Sequence, residues 1–284
     1  MAKKRAREAD GATEAPDKMA KDSDSSDDED FDMVNVDFEW FNFNDKVDFH
    51  GMRNLIRQLF DVDATLFDVS ALVDLILSQS SIGSTIKTDG EESDPFAFVT
   101  ALNIQEHRQK QPIAQLIEYL SQKARTTESL APIPELLASG KHVGLVLSER
   151  VINMPSDIAP PLYSMLVEEI QDAVDDKEPY EFTHYLIVSK TYHEIESTLT
   201  EERKKKKGRQ DATLFHFHEE DEVLQRHAVA YGSYPFTKMD DSVADSKRAF
   251  QEMGVMPMGS MILIEASKFA DAVKAVGEYL SPPS

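Results

Sequence analysis

The chain has 284 residues, with 52 acidic against 30 basic side chains, a formal net charge of −22 and no cysteine. That charge argues against a broad surface for nucleic acid or anionic lipid, where Lys and Arg must neutralise phosphates, and points instead to a basic protein partner. The absence of cysteine excludes disulfides, thiolate nucleophiles, zinc ribbons and iron–sulfur sites. With no apolar signal core at the N-terminus and no apolar run near the ~18 residues of a membrane span, a soluble protein of the nucleus or cytosol is expected.

Residues 1–32 read as a disordered tail, basic first (Lys3, Lys4, Arg5, Arg7) and then acidic around Ser23, Ser25 and Ser26. Too little of it is apolar to offset the entropy of ordering. Alternation of Val34, Val36, Phe38 and Trp40 with polar residues predicts a half-buried strand. Asp48 is placed to N-cap a helix running to about Phe60, and Asp68 to cap a second carrying Leu72, Val73 and Ile76. Two short strands, 82–88 and 96–104, flank a turn-rich acidic stretch. Pro112 suits the first turn of a helix bearing Ile113, Leu116, Ile117 and Leu120. An apolar strand at 142–147 follows, then a strongly amphipathic helix marked by Leu162, Leu166, Ile170 and Val174.

Further strands are expected at 181–190, 212–218 and 226–232, a helix at 240–253, and a buried strand at 261–264. Ser267 is read as the cap of a last helix with Phe269, Val273, Val276 and Leu280 inward. Strands and helices interleave, so the fold class is α/β: a mixed sheet flanked by helices. No fixed repeat and no long linker divides residues 33–284, which are read as one domain with a basic loop near 200–210.

The motifs of common catalysts are missing. No GxGxxG loop is present, and Gly254 and Gly259 have P-loop spacing but are followed by Ser260 and Met261 in place of Lys and Ser/Thr. They read as a helix-ending glycine and a turn glycine before a strand. No nucleophile elbow such as GxSxG occurs. His216 and His218 would share one face of a strand beside Glu219 and Glu220, but a zinc site needs a third or fourth ligand. The alternative is a solvated strand end. Neither a catalytic residue, a cofactor nor a metal is assigned.

Three charged features remain. Lys204, Lys205, Lys206, Lys207 and Arg209 form a dense basic run, either a nuclear localisation signal or a solvated loop, and the cluster at Lys3, Lys4, Arg5 and Arg7 has the same two readings. Ser23, Ser25 and Ser26 precede an acidic run, a context that acidophilic kinases use, and each phosphate would add about −1.5 to −2 charge. Glu219, Glu220, Asp221 and Glu222 are either a solvated turn or part of an anionic surface for a Lys/Arg-rich client.

Several segments together resemble the BCCIP family. Val34-Asn35-Val36-Asp37-Phe38-Glu39 is similar to the family's opening strand, and Asp48-Phe49-His50-Gly51, running into Leu55 and Gln58-Leu59-Phe60, to its next segment. The most specific stretch is Ser148-Glu149-Arg150-Val151-Ile152-Asn153-Met154-Pro155, followed by Ala159-Pro160-Pro161-Leu162-Tyr163, and the resemblance continues from Gly259 to Phe269.

The resemblance implies an acetyltransferase-like fold without acetyltransferase activity, in agreement with the absence here of the Gln/Arg-x-x-Gly-x-Gly/Ala coenzyme A loop. It implies a non-enzymatic nuclear escort that binds a basic ribosomal protein of the large subunit, shuttles between nucleus and cytoplasm, and supports ribosome biogenesis. It also implies a role in nuclear export of a phosphatidylinositol phosphate kinase, with nuclear transport receptors as further partners. Neither nucleic acid nor membrane is expected as a direct partner. Two other readings stand beside it: a nuclear adaptor for repair and cell-cycle proteins, and an acetyltransferase-like enzyme.

Overall fold

The computed structural model describes residues 37–194, 214–237 and 255–280. The tail, the basic run at 203–209, Gly254 and the helix expected at 240–253 lie outside them. So therefore do Lys3, Lys4, Arg5, Arg7, Lys204, Lys205, Lys206, Lys207, Arg209, Ser23, Ser25 and Ser26.

The first half runs β1 (Glu39–Asn42), α1 (Phe49–Phe60), α2 (Val69–Leu77), β2 (Ser84–Lys87), β3 (Ala97–Asn103), α3 (Gln111–Ala124) and α4 (Pro132–Ala138). The second runs β4 (Val143–Arg150), α5 (Ala159–Asp175), β5 (His184–Glu194), β6 (Leu214–His216), α6 (Glu220–Leu224), β7 (Ala230–Tyr234), β8 (Val255–Glu265) and α7 (Ala266–Leu280). The strands form one mixed sheet in the order β1-β2-β3-β4-β5-β8-β7, with β6 added to β5. Among the described strands only β4 and β5 are parallel, joined by the α5 crossover.

Alternation along the strands sends side chains to two cores. Phe98, Leu102, Leu145, Leu147 and Leu186 face one side and pack with α1, α2, α3 and α4. Val99, Ala101, Val146, Ile187 and Ile262 face the other and pack with α5, α6 and α7. Both faces are covered, so β3 is buried throughout and β4 nearly so. That explains the continuous apolar runs at these positions.

Local chemistry fixes several ends. Asp68 caps α2, its carboxylate accepting from Ala71 N at 3.0 Å. Asp48 does not cap α1. Its carboxylate accepts from Asn44 N at 2.8 Å and pairs at 2.6 Å with Lys87, both side chains fully buried. The described strand starts at Glu39, after Asp37 and Phe38, and the part of the alternation at Val34 and Val36 lies outside the described residues. Gln225–His227 is a 3-10 turn rather than the start of a strand, so β7 begins at Ala230. Ser267 is inside the first turn of α7, not ahead of it.

Gly259 is not a turn residue. It sits within β8 opposite Tyr234, where a Cβ would lie 2.3 Å from the tyrosine ring. Gly51 on α1 allows an equally close approach, since its Cβ would lie 2.5 Å from Pro95 Cδ. A second buried carboxylate, Asp63, ties the chain after β7 to the helices. It accepts from Thr237 N at 2.7 Å and Tyr119 Oη at 3.0 Å, and pairs with Lys123 at 2.9 Å. The outer edge of β7 is closed by hydroxyls: Ser129 Oγ donates to Tyr231 O at 2.7 Å and Thr127 Oγ1 to Ser233 O at 3.2 Å.

Candidate functional site

β4 and β5 pair only from Val143 with His184 to Leu147 with Val188. Both strands continue beyond, β4 to Arg150 along β3 and β5 to Glu194 along β8, so they part. Further along β5, its vacated side is taken by β6 at Thr191, Tyr192 and His193. The gap nearer the fork is filled by charged side chains from β4, β5, the turn after β6, and α6.

Glu149 is the hub, with 1% of its surface exposed. One carboxylate oxygen accepts from His218 Nε2, Gln58 Nε2 and Arg150 N, each at 3.1 Å. The other pairs with Lys190 Nζ at 2.8 Å, and Lys190 also donates to Gln58 O at 3.0 Å and lies over the Phe217 ring. Arg150 grips Glu220 with both guanidinium nitrogens, Nη2 to Oε2 at 3.1 Å. Ser189 Oγ donates to Asp221 and lies 3.4 Å from His218 Nδ1.

The charges set one another's protonation. Burial by itself would raise the Glu149 pKa, but the Lys190 ammonium and His218 overcome it and hold it at about 2. Burial by itself would discharge His218, yet Glu149 beside it and Glu220 nearby raise its pKa. Glu220 is lowered, with burial opposed by His218 and Arg150. Asp221 makes no ion pair among the described residues, and burial, aided by Glu220 and only partly opposed by His218, pushes it up to about 7.

This geometry corrects the reading of the acidic run. Glu220 and Asp221 are each 1% exposed and belong to the interior network, so they cannot present charge to a client. They point inward because Arg150 and Ser189 wait there, 70 and 32 residues away in sequence. Glu219 and Glu222 do reach the surface, where Glu222 pairs with Arg226 at 2.7 Å. His218 is buried rather than solvated, and it does not act with His216. His216 sits by Gln225, and burial lowers its pKa. Among the described residues no group of three or more His, Asp or Glu is arranged to hold a metal.

Sequence reasoning missed Glu149, Arg150, Ser189 and Lys190 as site residues. The signal was present for two of them: Glu149 and Arg150 lie within the stretch that carries the family resemblance most specifically. Beside the network the surface opens into a cleft of about 180 Å³, lined by Gln58, Val151, Ile152, Met154, Phe217 and Glu219 among others.

Comparison with known proteins agrees with this architecture. The family model described as BCCIP matches residues 33–224. Protein BCP1 of Gibberella zeae is 62% identical over 282 residues, covering 99% of each chain. Protein bcp1 of Schizosaccharomyces pombe is 42% identical over 262 residues, covering 89% of this chain and 92% of its own. The crystal structure of BCP1 from Saccharomyces cerevisiae superposes with a TM-score of 0.60 at 27% identity, covering 89% of this chain and 95% of that one. The same parted strands, built on the Ser148 to Pro155 motif, are thus carried by a chain that belongs to the BCCIP family.

Proposed function

We propose that the protein is a non-enzymatic nuclear escort, binding a basic ribosomal protein of the large subunit through its acidic exterior and supporting ribosome biogenesis and export. The observation that carries this reading is the distribution of charge. The described residues hold 33 acidic against 15 basic side chains, a balance of −18. The buried cations Lys87, Lys123 and Lys190 are each consumed by a buried carboxylate.

The end of α5 and the turn after it support the reading. Glu168, Asp172, Asp175, Asp176 and Glu178 are exposed there, with Lys177 the lone cation among them. Anions at a helix C-terminus oppose the macrodipole, at about 0.3–1 kcal/mol each. A cationic client offsets that cost, is drawn in by the long-range field, and is released to the denser polyanion of rRNA.

The buried network supports the non-catalytic side of the proposal. Ser189 and His218 are 2% and 5% exposed, and each is held by a partner, so neither is free to attack or deprotonate a substrate. In this reading the clusters at 3–7 and 204–209 serve as nuclear localisation signals, the serines at 23, 25 and 26 as phosphoacceptors, and a phosphatidylinositol phosphate kinase and nuclear transport receptors as further partners.

The test is purification of the full chain at native expression, washed at rising salt. A stoichiometric basic ribosomal protein, lost as salt screens the charges, is the expected result. A partner set of repair and cell-cycle proteins without ribosomal ones supports the adaptor reading instead. No basic client at physiological salt overturns the proposal.

A further inference from the structure

A second hollow of about 220 Å³ lies along α1, walled by Gly51, Asn54 and Leu55 on the helix and by Asp94, Pro95 and Phe96 opposite. It shares Gln58 and Val151 with the cleft beside the charged network, so the two adjoin, and an extended segment spanning both would follow one groove. From Gly51 to Gln58 the helix rises about 10 Å, which matches about three residues of an extended strand, and the cleft over Met154 and Phe217 lengthens it.

Its chemistry is mixed in a specific way. Phe96 is 37% exposed and Ile152 63% exposed, neither covered by any described element. The basic groups that line it, Arg150, Lys190 and the buried His218, are each paired with a buried carboxylate, Arg150 with Glu220 and the other two with Glu149. Asp94 lines one hollow and Glu219 the other, and both are exposed and pair with no cation among the described residues. The groove therefore offers apolar contact between two uncompensated negative charges.

We propose that this groove docks an extended segment of the basic client in which apolar side chains lie between lysines or arginines. The apolar residues would cover Phe96 and Ile152, and the flanking cations would meet Asp94 and Glu219. This rests on the escort reading and deepens it: the bulk acidity attracts the client, while the groove selects which segment is held. Rim charges alone would give on-rate with little selectivity, and the apolar centre supplies what area burial adds.

The probe is a fluorescein-labelled peptide, KKLIRLKK, titrated with the full-length protein by fluorescence anisotropy at about 150 mM salt. Saturable binding is expected, with KKSSRSKK at least about tenfold weaker and EELIELEE silent. Phe96→Ser with Ile152→Ser should weaken KKLIRLKK about tenfold, as should Asp94→Asn with Glu219→Gln. The apolar pair should also flatten the preference over KKSSRSKK, while urea unfolding confirms that both variants stay folded. Equal binding of KKLIRLKK and KKSSRSKK, or no loss in either variant, overturns the groove. The same variants in the native purification separate the two ideas. A ribosomal protein that co-purifies undiminished with the Phe96→Ser, Ile152→Ser chain refutes the groove and leaves the escort standing. No ribosomal protein with the unaltered chain refutes the escort, whatever the peptide does.

Discussion

Glu149→Gln removes one charge at the centre of the fork between β4 and β5 and keeps the side-chain volume. The glutamine still has an oxygen for Gln58 and the Arg150 backbone, but Lys190 is left buried without its counter-ion. Breaking a buried pair from one side costs about 3–5 kcal/mol. The proton linkage gives an independent figure. The Glu149 carboxyl sits at about 2, against its ordinary value of 4.5, and at 1.36 kcal/mol per unit that is about 3 kcal/mol. The folded pKa is the lower one, so this stability is present above about pH 5 and is lost as pH falls, about 2 kcal/mol of it by pH 3. The assay is urea unfolding at pH 7, 5, 4 and 3. The variant should be about 3 kcal/mol less stable at pH 7, with a shallower fall between pH 5 and 3 than the unaltered protein. Parallel curves in that window, or a loss below about 1 kcal/mol at pH 7, would refute the hub assignment.

Asp221 titrates in the opposite sense: its folded pKa of about 7 is raised by burial, so its contribution is full below about pH 4 and lost as pH rises through 7. Asp221→Asn mimics the protonated acid against Ser189, and should match the unaltered protein near pH 4 but exceed it at pH 8 by on the order of 4 kcal/mol in urea unfolding. Gly259→Ala drives a methyl into the Tyr234 ring, and calorimetry should show a loss of about 1–3 kcal/mol, whereas the same change at open Gly140, with its φ of +76°, leaves packing untouched. Asp63→Ala strands Lys123 and Thr237 N. It should cost about 3–5 kcal/mol and speed amide exchange at Thr237 before the rest of the sheet.

Periodicity made most of the fold legible, because burial on two faces or one stripe is written directly into residue spacing. Leu162, Leu166 and Ile170 announced α5, and Asp68 its capped helix. What escaped was any side chain with two possible partners. Asp48 and Ser267 are both good cap residues by type, yet Asp48 is claimed by Lys87, and Ser267 follows a helix already begun at the strand end. The acidic run failed for the same reason. Four adjacent carboxylates look alike in sequence, and only the fork between β4 and β5 decides that Glu220 and Asp221 turn inward while Glu219 and Glu222 stay out. His218 was misjudged because its partner Glu149 is 69 residues away.

The hydroxyl closure of β7 has a bearing on the company such a protein keeps. An open strand edge presents unpaired backbone groups that can template edge-to-edge pairing with another chain. With Ser129 and Thr127 occupying the outward carbonyls of Tyr231 and Ser233, templated growth is blocked on that flank. The opposite flank, β1, is only four residues long. Among the described strands, both ends of the sheet order are thus poor templates for edge-to-edge pairing.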